Sequence, residues 1–335
     1  MKTKIAINGF GRIGRNAFKV ARERDDLEVV AINDLTDNQT LAHLLKYDSS
    51  YGPYGREVDA DEYSLAVDGD QVLVTAEKDP SLLPWGEHGV DIVIESTGRF
   101  TKAEDAKMHL AAGAKKVVVS APAKGDGVDT VVLSVNDEKI ENGGDVYSNA
   151  SCTTNCITPV AAVMLREFGI EKAMMTTIHS YTADQNLQDG PHKDMRRARA
   201  AAENIVPTTT GAAQAAGQAL PELEGVFDGL SIRVPTPVVS LSDFTFVLSK
   251  DVTAEEVNQA IEAATKEPAF AGIMSVTNEP VVSKDLLKDS HSAIVDLSLT
   301  QVCAGNLVKV VAWYDNEWGY SNRLVELVGR LADQL

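Results

Sequence analysis

Residues 4–15 read KIAINGFGRIGR, and this short stretch decides the fold of the first half of the chain. Apolar residues alternate through KIAIN, a pattern that predicts a β-strand. Gly9, Gly11 and Gly14 follow directly in the spacing G-x-G-x-x-G. In a strand–turn–helix unit the first glycine permits the tight turn, the second lets the backbone approach a pyrophosphate, and the third lets helix and strand pack closely. The stretch therefore predicts a dinucleotide-binding unit.

Two further features indicate which dinucleotide is bound. Arg12 and Ile13 open the predicted helix, and their N–H groups would receive the pyrophosphate at its positive end. Asp34 ends the second strand candidate, LEVVAIND, twenty residues after Gly14. From there its carboxylate can accept hydrogen bonds from the adenosine ribose and repel a 2′-phosphate. The sequence predicts NAD rather than NADP.

The patterns of strands and helices change at about residue 150. Before it, short Val/Ile-rich runs alternate with helical patterns, which is typical of parallel α/β structure. After it, longer runs such as EKAMMTTIHSY and NLVKVVAWYD suit an antiparallel or mixed sheet. We expect an α/β plus α+β protein: a Rossmann dinucleotide-binding domain over 1–150, a catalytic domain with a mixed or antiparallel sheet over 151–317, and a C-terminal helix over 318–335 that returns to the first domain.

Three local patterns predict individual elements. Thr101 and Glu104 have the spacing of a helix capping box, with Gly113 as the helix stop. Thr253 and Glu256 have the same spacing before a second amphipathic helix. The run TVVLSV, between these two helices, predicts a strand.

Composition excludes several classes of function. The chain has 335 residues, 44% of them hydrophobic, and a formal net charge of −18, which disfavours nucleic-acid and anionic-membrane partners. We expect no membrane span, because no run of 18 apolar residues occurs, and no signal segment, because the chain starts directly with a strand pattern. Three cysteines are too few for a disulfide framework, so a reducing, cytoplasmic location is expected.

Residues 148–156 read SNASCTTNC and place two of the three cysteines four residues apart. On a helix, Cys152 and Cys156 would share one face and could bridge a metal. No third or fourth ligand follows at ordinary zinc spacing, so no metal site is expected. A buried, inert thiol is the commoner fate of a cysteine, and it suits Cys156 and Cys303.

Cys152 differs because polar residues precede it and a helix follows. Asn149 or Ser151 can cap that helix and leave Cys152 in its first turn, where free N–H groups and the helix dipole lower a thiol pKa. Pro159 then predicts a kink or an irregular first turn. A thiolate nucleophile needs a base, and His179, near the end of EKAMMTTIHSY, is the best candidate. A lone histidine at a strand end is more often structural, but a nicotinamide site favours catalysis.

Six segments occur in order along the whole chain: INGFGRIGR, SNASCTTNC, TTIHSYTADQ, RRARAAAENIVPTTTGAA, RVPTPVVSLSD and WYDNEWGYSNR. With these segments the chain resembles the phosphorylating, NAD-dependent glyceraldehyde-3-phosphate dehydrogenases, which are enzymes of glycolysis. The resemblance implies oxidation of D-glyceraldehyde 3-phosphate with inorganic phosphate to 1,3-bisphosphoglycerate, in a cytoplasmic homotetramer. It also implies that Cys152 forms a thiohemiacetal and then a thioester, while His179 removes the hydroxyl proton and holds the thiolate as an ion pair.

The same resemblance implies contacts to substrate and cofactor. For the substrate phosphate the implied residues are Thr182, Arg197 and Arg233. For inorganic phosphate they are Ser151, Thr153, Thr210 and Gly211, with Arg233 bordering both pockets. For the cofactor they are Lys78, Thr97, Ser120, Asn316 and Tyr320.

One position departs from the family pattern. NAD-dependent members commonly carry Leu-Pro before HKD, whereas this chain has Gly190 and Pro191. Pro191 keeps the NAD pattern, but Gly190 leaves room for a 2′-phosphate and weakens the expectation of strict NAD selectivity. Three alternative functions use the same residues: an erythrose-4-phosphate dehydrogenase, a cysteine hydrolase and a cofactor-sensing binding protein.

Overall fold

A computed structural model describes residues 2–335, which divide into two compact units. Unit 1 contains the chain up to Val131 together with Asp137–Ala150 and Ser321–Leu335. Unit 2 contains Val132–Asn136 and Ser151–Tyr320.

Unit 1 is an α/β unit. Its strands are β1 (Thr3–Asn8), β2 (Leu27–Asn33), β3 (Tyr47–Asp48), β4 (Gly52–Pro53), β5 (Val58–Ala60), β6 (Ser64–Val67), β7 (Asp70–Thr75), β8 (Ile92–Glu95), β9 (Lys116–Val119), β10 (Asp129–Thr130) and β11 (Val146–Ser148). Its helices are α1 (Arg12–Ala21), α2 (Asn38–Lys46), α3 (Trp85–His88), α4 (Ala103–Ala106), α5 (Met108–Ala111) and α6 (Glu138–Asn142), with a 3₁₀ turn at Pro80–Leu82.

The main sheet of unit 1 has the order β10-β11-β9-β8-β1-β2-β7-β6-β5. The first strand lies in its middle and pairs in parallel with β2 on one side and β8 on the other. Strands β5 to β7 form an antiparallel edge. The strand order reverses at β1, and the carboxyl ends of strands at such a reversal border the ligand crevice of an open α/β sheet.

Unit 2 is built on a mixed sheet. Its strands are β12 (Ile170–Ser180), β13 (Val206–Thr208), β14 (Phe227–Val234), β15 (Ser240–Leu248), β16 (Met274–Thr277), β17 (Ala293–Asp296), β18 (Gln301–Cys303) and β19 (Leu307–Tyr314). Its helices are α7 (Cys152–Phe168), α8 (Ala212–Ala219) and α9 (Ala254–Ala264), with 3₁₀ turns at Pro221–Leu223, Ser283–Leu286 and Leu297–Leu299. The last helix, α10 (Trp318–Ala332), belongs to unit 1 from Ser321 onward.

The unit 2 sheet has the order β13-β14-β12-β15-β19-β17-β16, and β18 also pairs with β19. Strand β12 is parallel to β14 and antiparallel to β15, so the predicted mixed sheet and the predicted fold class are confirmed. Val160 and Met164 of α7 share one buried apolar cluster with Phe244, Phe246 and Val310 of the sheet. Each such side chain contributes about 1.5–3 kcal/mol on burial, which fixes α7 and the residues at its N-terminus.

Two local predictions are wrong, one because of a contact with a distant segment and one because of a local turn. The capping box at Thr101 is absent: α4 starts after Lys102, and the single predicted helix is two short ones. Thr101 O accepts from Lys124 N, and Lys102 forms a β-bridge with Lys124, so this segment is held extended. The strand predicted from TVVLSV ends at Thr130, because Val132 N donates to Asn136 Oδ1 and the chain turns.

Two other predictions about helix starts can be compared with the structure. The capping box of Thr253 and Glu256 is confirmed at α9. Ser151 caps α7, as one of the two predicted alternatives, and the first turn is regular, with Asn155 N donating to Ser151 O. Of the two predicted alternatives, the irregular first turn is therefore wrong, while the kink stays a prediction for a helix that continues past Pro159 to Phe168.

Candidate active site

A cleft of about 470 Å³ lies in unit 1 at the carboxyl ends of β1, β2 and β8. Its lining comprises Asn8, Gly9, Gly11, Asn33, Asp34, Leu35, Glu77, Lys78, Ser96, Thr97, Arg99 and Phe100. Of the predicted cofactor residues in unit 1, the lining includes Gly9, Gly11, Asp34, Lys78 and Thr97. Arg12 and Ile13 form the first turn of α1, Gly14 follows them, and Ser120 N donates to Glu95 O beside β8.

Close backbone contacts require glycine at two of the three positions of the glycine turn. Gly9 has φ +92°, and a Cβ there would lie 2.7 Å from Thr97 N. A Cβ on Gly14 would lie 2.1 Å from Gly9 O, so only glycine lets α1 approach β1 this closely. A Cβ on Gly11 would meet no atom within 4 Å, which leaves open space beside the helix start. These positions form a cradle for a pyrophosphate at the N-terminus of α1.

Asp34 lies at the end of β2 and is held in the lining of the cleft. Its Oδ2 accepts from Phe10 N at 2.7 Å, and its Oδ1 accepts from Thr36 N at 3.0 Å. A carboxylate has about four acceptor positions, so capacity for ribose hydroxyls remains. The Arg12 side chain instead donates to Asp48 Oδ2 at 2.6 Å. The residues of this cleft therefore fit NAD.

Unit 2 brings Cys152 and His179 together. Cys152 begins α7, where Ser151 Oγ accepts from Thr154 N at 3.0 Å. The Cys152 Sγ lies 3.5 Å from Nε2 of His179, which is the penultimate residue of β12. Nδ1 of His179 lies 2.7 Å from Ser180 O, and a carbonyl can only accept. The ring proton of the neutral imidazole therefore sits on Nδ1, and the lone pair of Nε2 faces the sulfur.

Burial disfavours a single charge on either group. Burial raises the pKa of the Cys152 thiol, although Arg233 and Thr153 oppose this shift. Burial, with Arg233, lowers the pKa of His179 to about 3. The prediction that the helix N-terminus lowers the Cys152 pKa is therefore wrong for the thiol alone, because burial outweighs the local N–H groups. A charge at one group is stabilised only with the opposite charge at the other, so the pair shares one proton.

Arg233 lies directly opposite His179 in the register of β12 and β14. Its Nη1 donates to Ser180 O at 3.2 Å and to Thr182 Oγ1 at 3.1 Å. Arg197, the third predicted residue of this set, donates to Thr208 Oγ1 at 3.0 Å and pairs with Asp184. The structure thus joins Thr182 to Arg233. Arg197 is bound to β13 and to Asp184, and both Arg197 and Asp184 lie in the long loop, residues 181–205 between β12 and β13.

The residues predicted for inorganic phosphate surround two helix starts. Ser151 caps α7, and Gly211 is the N-cap of α8. Thr154 Oγ1 reaches both Ser151 Oγ, at 2.7 Å, and Ala212 O, at 3.5 Å, so the two helix N-termini are neighbours. Thr210 Oγ1 accepts from Ala212 N at 3.2 Å. Two positive helix ends at one place favour an anion.

Several contacts escape the sequence patterns. Thr153 Oγ1 hydrogen-bonds to Tyr314 OH at 2.9 Å, so it points at the core. Tyr314 OH also bonds Thr177 Oγ1 at 2.7 Å, and its ring packs edge-on against His179 with centroids 6.0 Å apart. The available signal was the position of Tyr314 within WYDNEWGY. Asn316 Oδ1 accepts from Ser240 Oγ at 2.9 Å, and the side chain is buried.

Tyr320 is also buried, within α10.

All three cysteines are free, and burial raises the pKa of Cys156. Among residues 2–335, no cluster of three or more His, Cys, Asp or Glu side chains could hold a metal ion. In the same described part of the chain, every helix is too short or too polar to cross a membrane.

The Rossmann-type cleft and the thiol–imidazole pair define the class: an NAD-dependent dehydrogenase. Residues 3–103 match the NAD binding domain of glyceraldehyde 3-phosphate dehydrogenase, and residues 151–316 match its C-terminal domain. The chain belongs to the glyceraldehyde-3-phosphate dehydrogenase family.

Curated relatives cover the whole chain. A glyceraldehyde-3-phosphate dehydrogenase of Geobacillus stearothermophilus is 55% identical over 335 residues, which are 100% of this chain and 99% of the relative. Glyceraldehyde-3-phosphate dehydrogenase 1 of Bacillus cereus is 54% identical over 99% of both chains. A glyceraldehyde-3-phosphate dehydrogenase of Mycolicibacterium smegmatis is 52% identical over 100% of both chains.

Proposed function

We propose that this protein oxidises D-glyceraldehyde 3-phosphate with NAD and transfers the acyl group to inorganic phosphate, giving 1,3-bisphosphoglycerate in glycolysis. The observation that carries the proposal is the Cys152–His179 pair, with 3.5 Å between Sγ and Nε2 and the Nδ1 proton held by Ser180 O. It occurs in a chain whose relatives are named glyceraldehyde-3-phosphate dehydrogenase.

The pair performs the chemistry as nucleophile and base. Nε2 of His179 takes the thiol proton, Cys152 Sγ bonds to the aldehyde carbon, and the imidazolium returns the proton to the carbonyl oxygen. His179 then removes this hydroxyl proton as the carbon is oxidised to a thioester. NAD, when bound, supplies the hydride acceptor. A phosphate oxygen attacks the thioester, the C–S bond breaks, and Cys152 leaves as a thiolate.

Two anion pockets complete the proposal. Thr182, Arg197 and Arg233 bind the substrate phosphate, since the Arg233 guanidinium already forms one rigid unit with Thr182. Ser151, Thr153, Thr210 and Gly211 bind inorganic phosphate at the neighbouring starts of α7 and α8. Thr153 contributes through its main-chain N–H in the first turn of α7, because its hydroxyl is bonded to Tyr314. Arg233 borders both pockets.

The remaining proposals concern the cofactor and the two units. Unit 1 binds NAD through the cleft residues and through the N–H groups of Arg12 and Ile13, with Ser120 as a further contact. Asn316 orients the nicotinamide carboxamide, and Tyr320 packs beside the ring. The domain roles follow: residues 1–150 bind cofactor, residues 151–317 carry the chemistry, and residues 318–335 return to the first domain.

A homotetramer in the cytoplasm is also part of the proposal. Unit 2 exposes Met174 on β12 and Leu230 on β14, at 62% and 43%, on adjacent strands. Leu187, Met195 and Ile205 of the long loop are more than two-thirds exposed. Apolar side chains in this number on a sheet and its flanking loop favour contact with further copies of the chain.

The test is NADH formation, read at 340 nm, with glyceraldehyde 3-phosphate, NAD and phosphate. We expect multiple turnovers only when phosphate is present, because the thioester otherwise persists on Cys152. A hydrolase or a sensing protein would produce no NADH under these conditions. A higher kcat/KM with erythrose 4-phosphate would overturn the substrate assignment in favour of that alternative.

A further inference from the structure

Beneath the NAD cleft, a line of buried side chains joins the ends of three adjacent strands to two helices. It comprises Asn33, Asn8, Glu95, His109 and Trp85, here called the polar ladder. Asn33 Nδ2 donates to Asn8 Oδ1 at 2.7 Å, and Asn8 Nδ2 donates to Glu95 Oε2 at 2.5 Å. Glu95 Oε2 lies 3.0 Å from His109 Nε2, and Trp85 Nε1 donates to His109 Nδ1 at 3.0 Å. Each of the five side chains is at most 5% exposed.

The end of the ladder at Trp85 determines where the imidazole proton lies. An indole N–H can only donate, so Nδ1 of His109 is the acceptor, and the proton of the neutral ring sits on Nε2. Nε2 then donates to Glu95. Trp85 and His109 together present a fixed donor to one carboxylate oxygen.

The other oxygen of Glu95 holds the loop that follows β8. Glu95 Oε1 accepts from Thr97 N at 2.8 Å and from Thr97 Oγ1 at 2.5 Å. With Asn8 and His109 on Oε2, the buried carboxyl group of Glu95 has four hydrogen-bond partners. Glu95 therefore connects the ladder, through Asn8 and His109, to the loop, through Thr97.

The loop held by Glu95 is in contact with the glycine turn. Ser96 Oγ donates to Gly9 O at 2.7 Å, and Thr97 N occupies the position that a Cβ on Gly9 would approach within 2.7 Å. Asn8, Gly9 and Thr97 all line the cleft. A shift of the Glu95 carboxylate is thereby transmitted to both sides of the pyrophosphate cradle.

We propose that Glu95 is a positioning residue for NAD, which sets the distance between the glycine turn and Thr97, and that His109 and Trp85 lock its carboxylate. The proposal rests on NAD binding in this cleft and gives Glu95 no role in the thiol chemistry of unit 2. An apolar cluster would fill this space without burying polar groups, so we expect the ladder to define the geometry of the cleft more than to raise stability.

The test compares NAD affinity with thiol reactivity. Glu95→Gln keeps the shape but places an amide N–H against donors, either those of Thr97 or those of Asn8 and His109. We expect the NAD Kd from calorimetry to rise about ten-fold, the loss of roughly one charge-assisted hydrogen bond. Alkylation of Cys152 by iodoacetamide without NAD, and kcat at saturating NAD, should stay within about two-fold.

A charge swap distinguishes positioning from general damage. In Asn8→Asp with Glu95→Gln, the new amide donates to the new carboxylate and its oxygen still accepts from Thr97. Asn33 keeps its acceptor, and His109 Nε2, which lies 3.4 Å from Asn8 Nδ2, donates to the second oxygen of the new carboxylate instead of to residue 95. We expect this double variant to bind NAD within about three-fold of the wild type. The matched control is Asp129→Asn, which removes a carboxylate bonded to Gly144 N at the β10 edge of the same sheet. It should lower Tm without changing the NAD Kd.

The outcomes are decisive in each direction. A folded Glu95→Gln protein with the wild-type Kd for NAD overturns the proposal, as does a folded swap that binds no better than Glu95→Gln. If Glu95→Gln fails to fold, Trp85→Phe is tested in its place. Loss of the indole donor to His109 Nδ1 should raise the NAD Kd about three-fold, and an unchanged NAD Kd would contradict the proposal. Wild-type protein that binds no NAD would instead refute the proposed function.

Discussion

Cys152 and Cys156 lie four residues apart on α7, yet their surroundings give them different chemistry. Cys152 is at the helix start, within 3.5 Å of a base. Cys156 is fully buried in the apolar cluster beneath the helix, and burial raises its pKa. The proximity of His179 and of two helix N-termini therefore distinguishes the two thiols, rather than their spacing in sequence.

The first prediction at the residue scale concerns this pair. Cys152→Ser should abolish NADH formation and leave NAD binding intact, because the cleft of unit 1 is untouched. Cys156→Ser should retain turnover and lose about 1–3 kcal/mol of unfolding free energy through the buried hydroxyl. Steady-state rates, calorimetric NAD binding and urea unfolding measure these effects. Equal loss of activity in both variants, with both folded, would contradict the assignment of Cys152 as the nucleophile.

A second prediction concerns pH and His179. Without a base nearby, burial outweighs Arg233 and Thr153 and raises the pKa of the Cys152 thiol. In His179→Asn the thiolate therefore forms only above the usual thiol range of about 8.5, and alkylation by iodoacetamide at pH 7 should fall at least about ten-fold. The pH profile of alkylation measures this, with Cys303→Ser as the control for the exposed thiol. An unchanged profile would refute the pairing.

The same variant tests the coupling of stability to pH. The folded-state pKa of His179 is about 3, below the unfolded value of about 6.5. The unfolded chain therefore binds a proton that the folded chain does not, and stability falls as pH drops from about 6.5 toward 3 by about 1.4 kcal/mol per unit. His179→Asn should lack this component, while carboxylate effects remain common to both proteins. If the unfolding free energies of the wild type and of His179→Asn fell equally between about pH 6.5 and 3, the neutral, buried state of His179 would be contradicted.

A further residue-scale prediction concerns cofactor choice. Asp34 is held at the cleft by Phe10 N and Thr36 N, so it cannot turn away from a 2′-phosphate. A clash of roughly 1.4 kcal/mol gives at least about a ten-fold preference for NAD over NADP in kcat/KM. Asp34→Asn should reduce the preference, and Gly190→Leu should increase it. Equal efficiencies with the two cofactors in the wild-type protein would contradict this role.

At the scale of elements, the site in unit 2 depends on two alignments. Strands β12 and β14 are in parallel register, which places His179 opposite Arg233. Helices α7 and α8 begin side by side, joined by the contact between Thr154 and Ala212. Base, guanidinium and two helix N-termini therefore converge although long stretches of sequence separate them. This convergence suits a phosphorylated substrate.

Arg233→Lys tests the strand alignment. Nη1 of Arg233 makes both bonds, to Ser180 O and to Thr182 Oγ1, which leaves the rest of the guanidinium for the phosphate. Lysine keeps a charge but has a single nitrogen for all of these contacts, so kcat/KM for glyceraldehyde 3-phosphate should fall about ten- to a hundred-fold. Glyceraldehyde without a phosphate is the matched control substrate, and its kcat/KM should change far less. An equal fall for the two aldehydes would show that Arg233 does not read the phosphate.

At the scale of the whole molecule, an acidic chain exposes apolar side chains on one sheet face and its flanking loop. We expect a particle of four times the 36.0 kDa chain mass in light scattering. Met174→Asp, on the exposed face of β12, should lower that mass, while Tyr63→Asp, an exposed aromatic of unit 1, serves as control. A wild-type mass near one chain would contradict the tetramer.

The sequence by itself determined the features that depend on neighbouring residues. The glycine turn, the acid that ends β2, the start of α7 and the cap of α9 are all local, because turn geometry and capping involve residues a few positions apart. Short apolar runs that alternate with helical patterns likewise predicted the parallel strands of unit 1, and the longer runs after residue 150 predicted an antiparallel or mixed sheet in unit 2. The family resemblance supplied the anion-binding residues, which spacing alone does not indicate.

Only the tertiary structure decided what depends on burial and on distant partners. The bridge between Lys102 and Lys124 replaced the predicted cap at Thr101, and Tyr314 took the Thr153 hydroxyl across more than a hundred residues. Burial reversed the expected direction of the Cys152 pKa, since desolvation depends on packing from the whole unit. The polar ladder was equally hidden, because Glu95 meets Asn8 and His109 only when the strands of the sheet align.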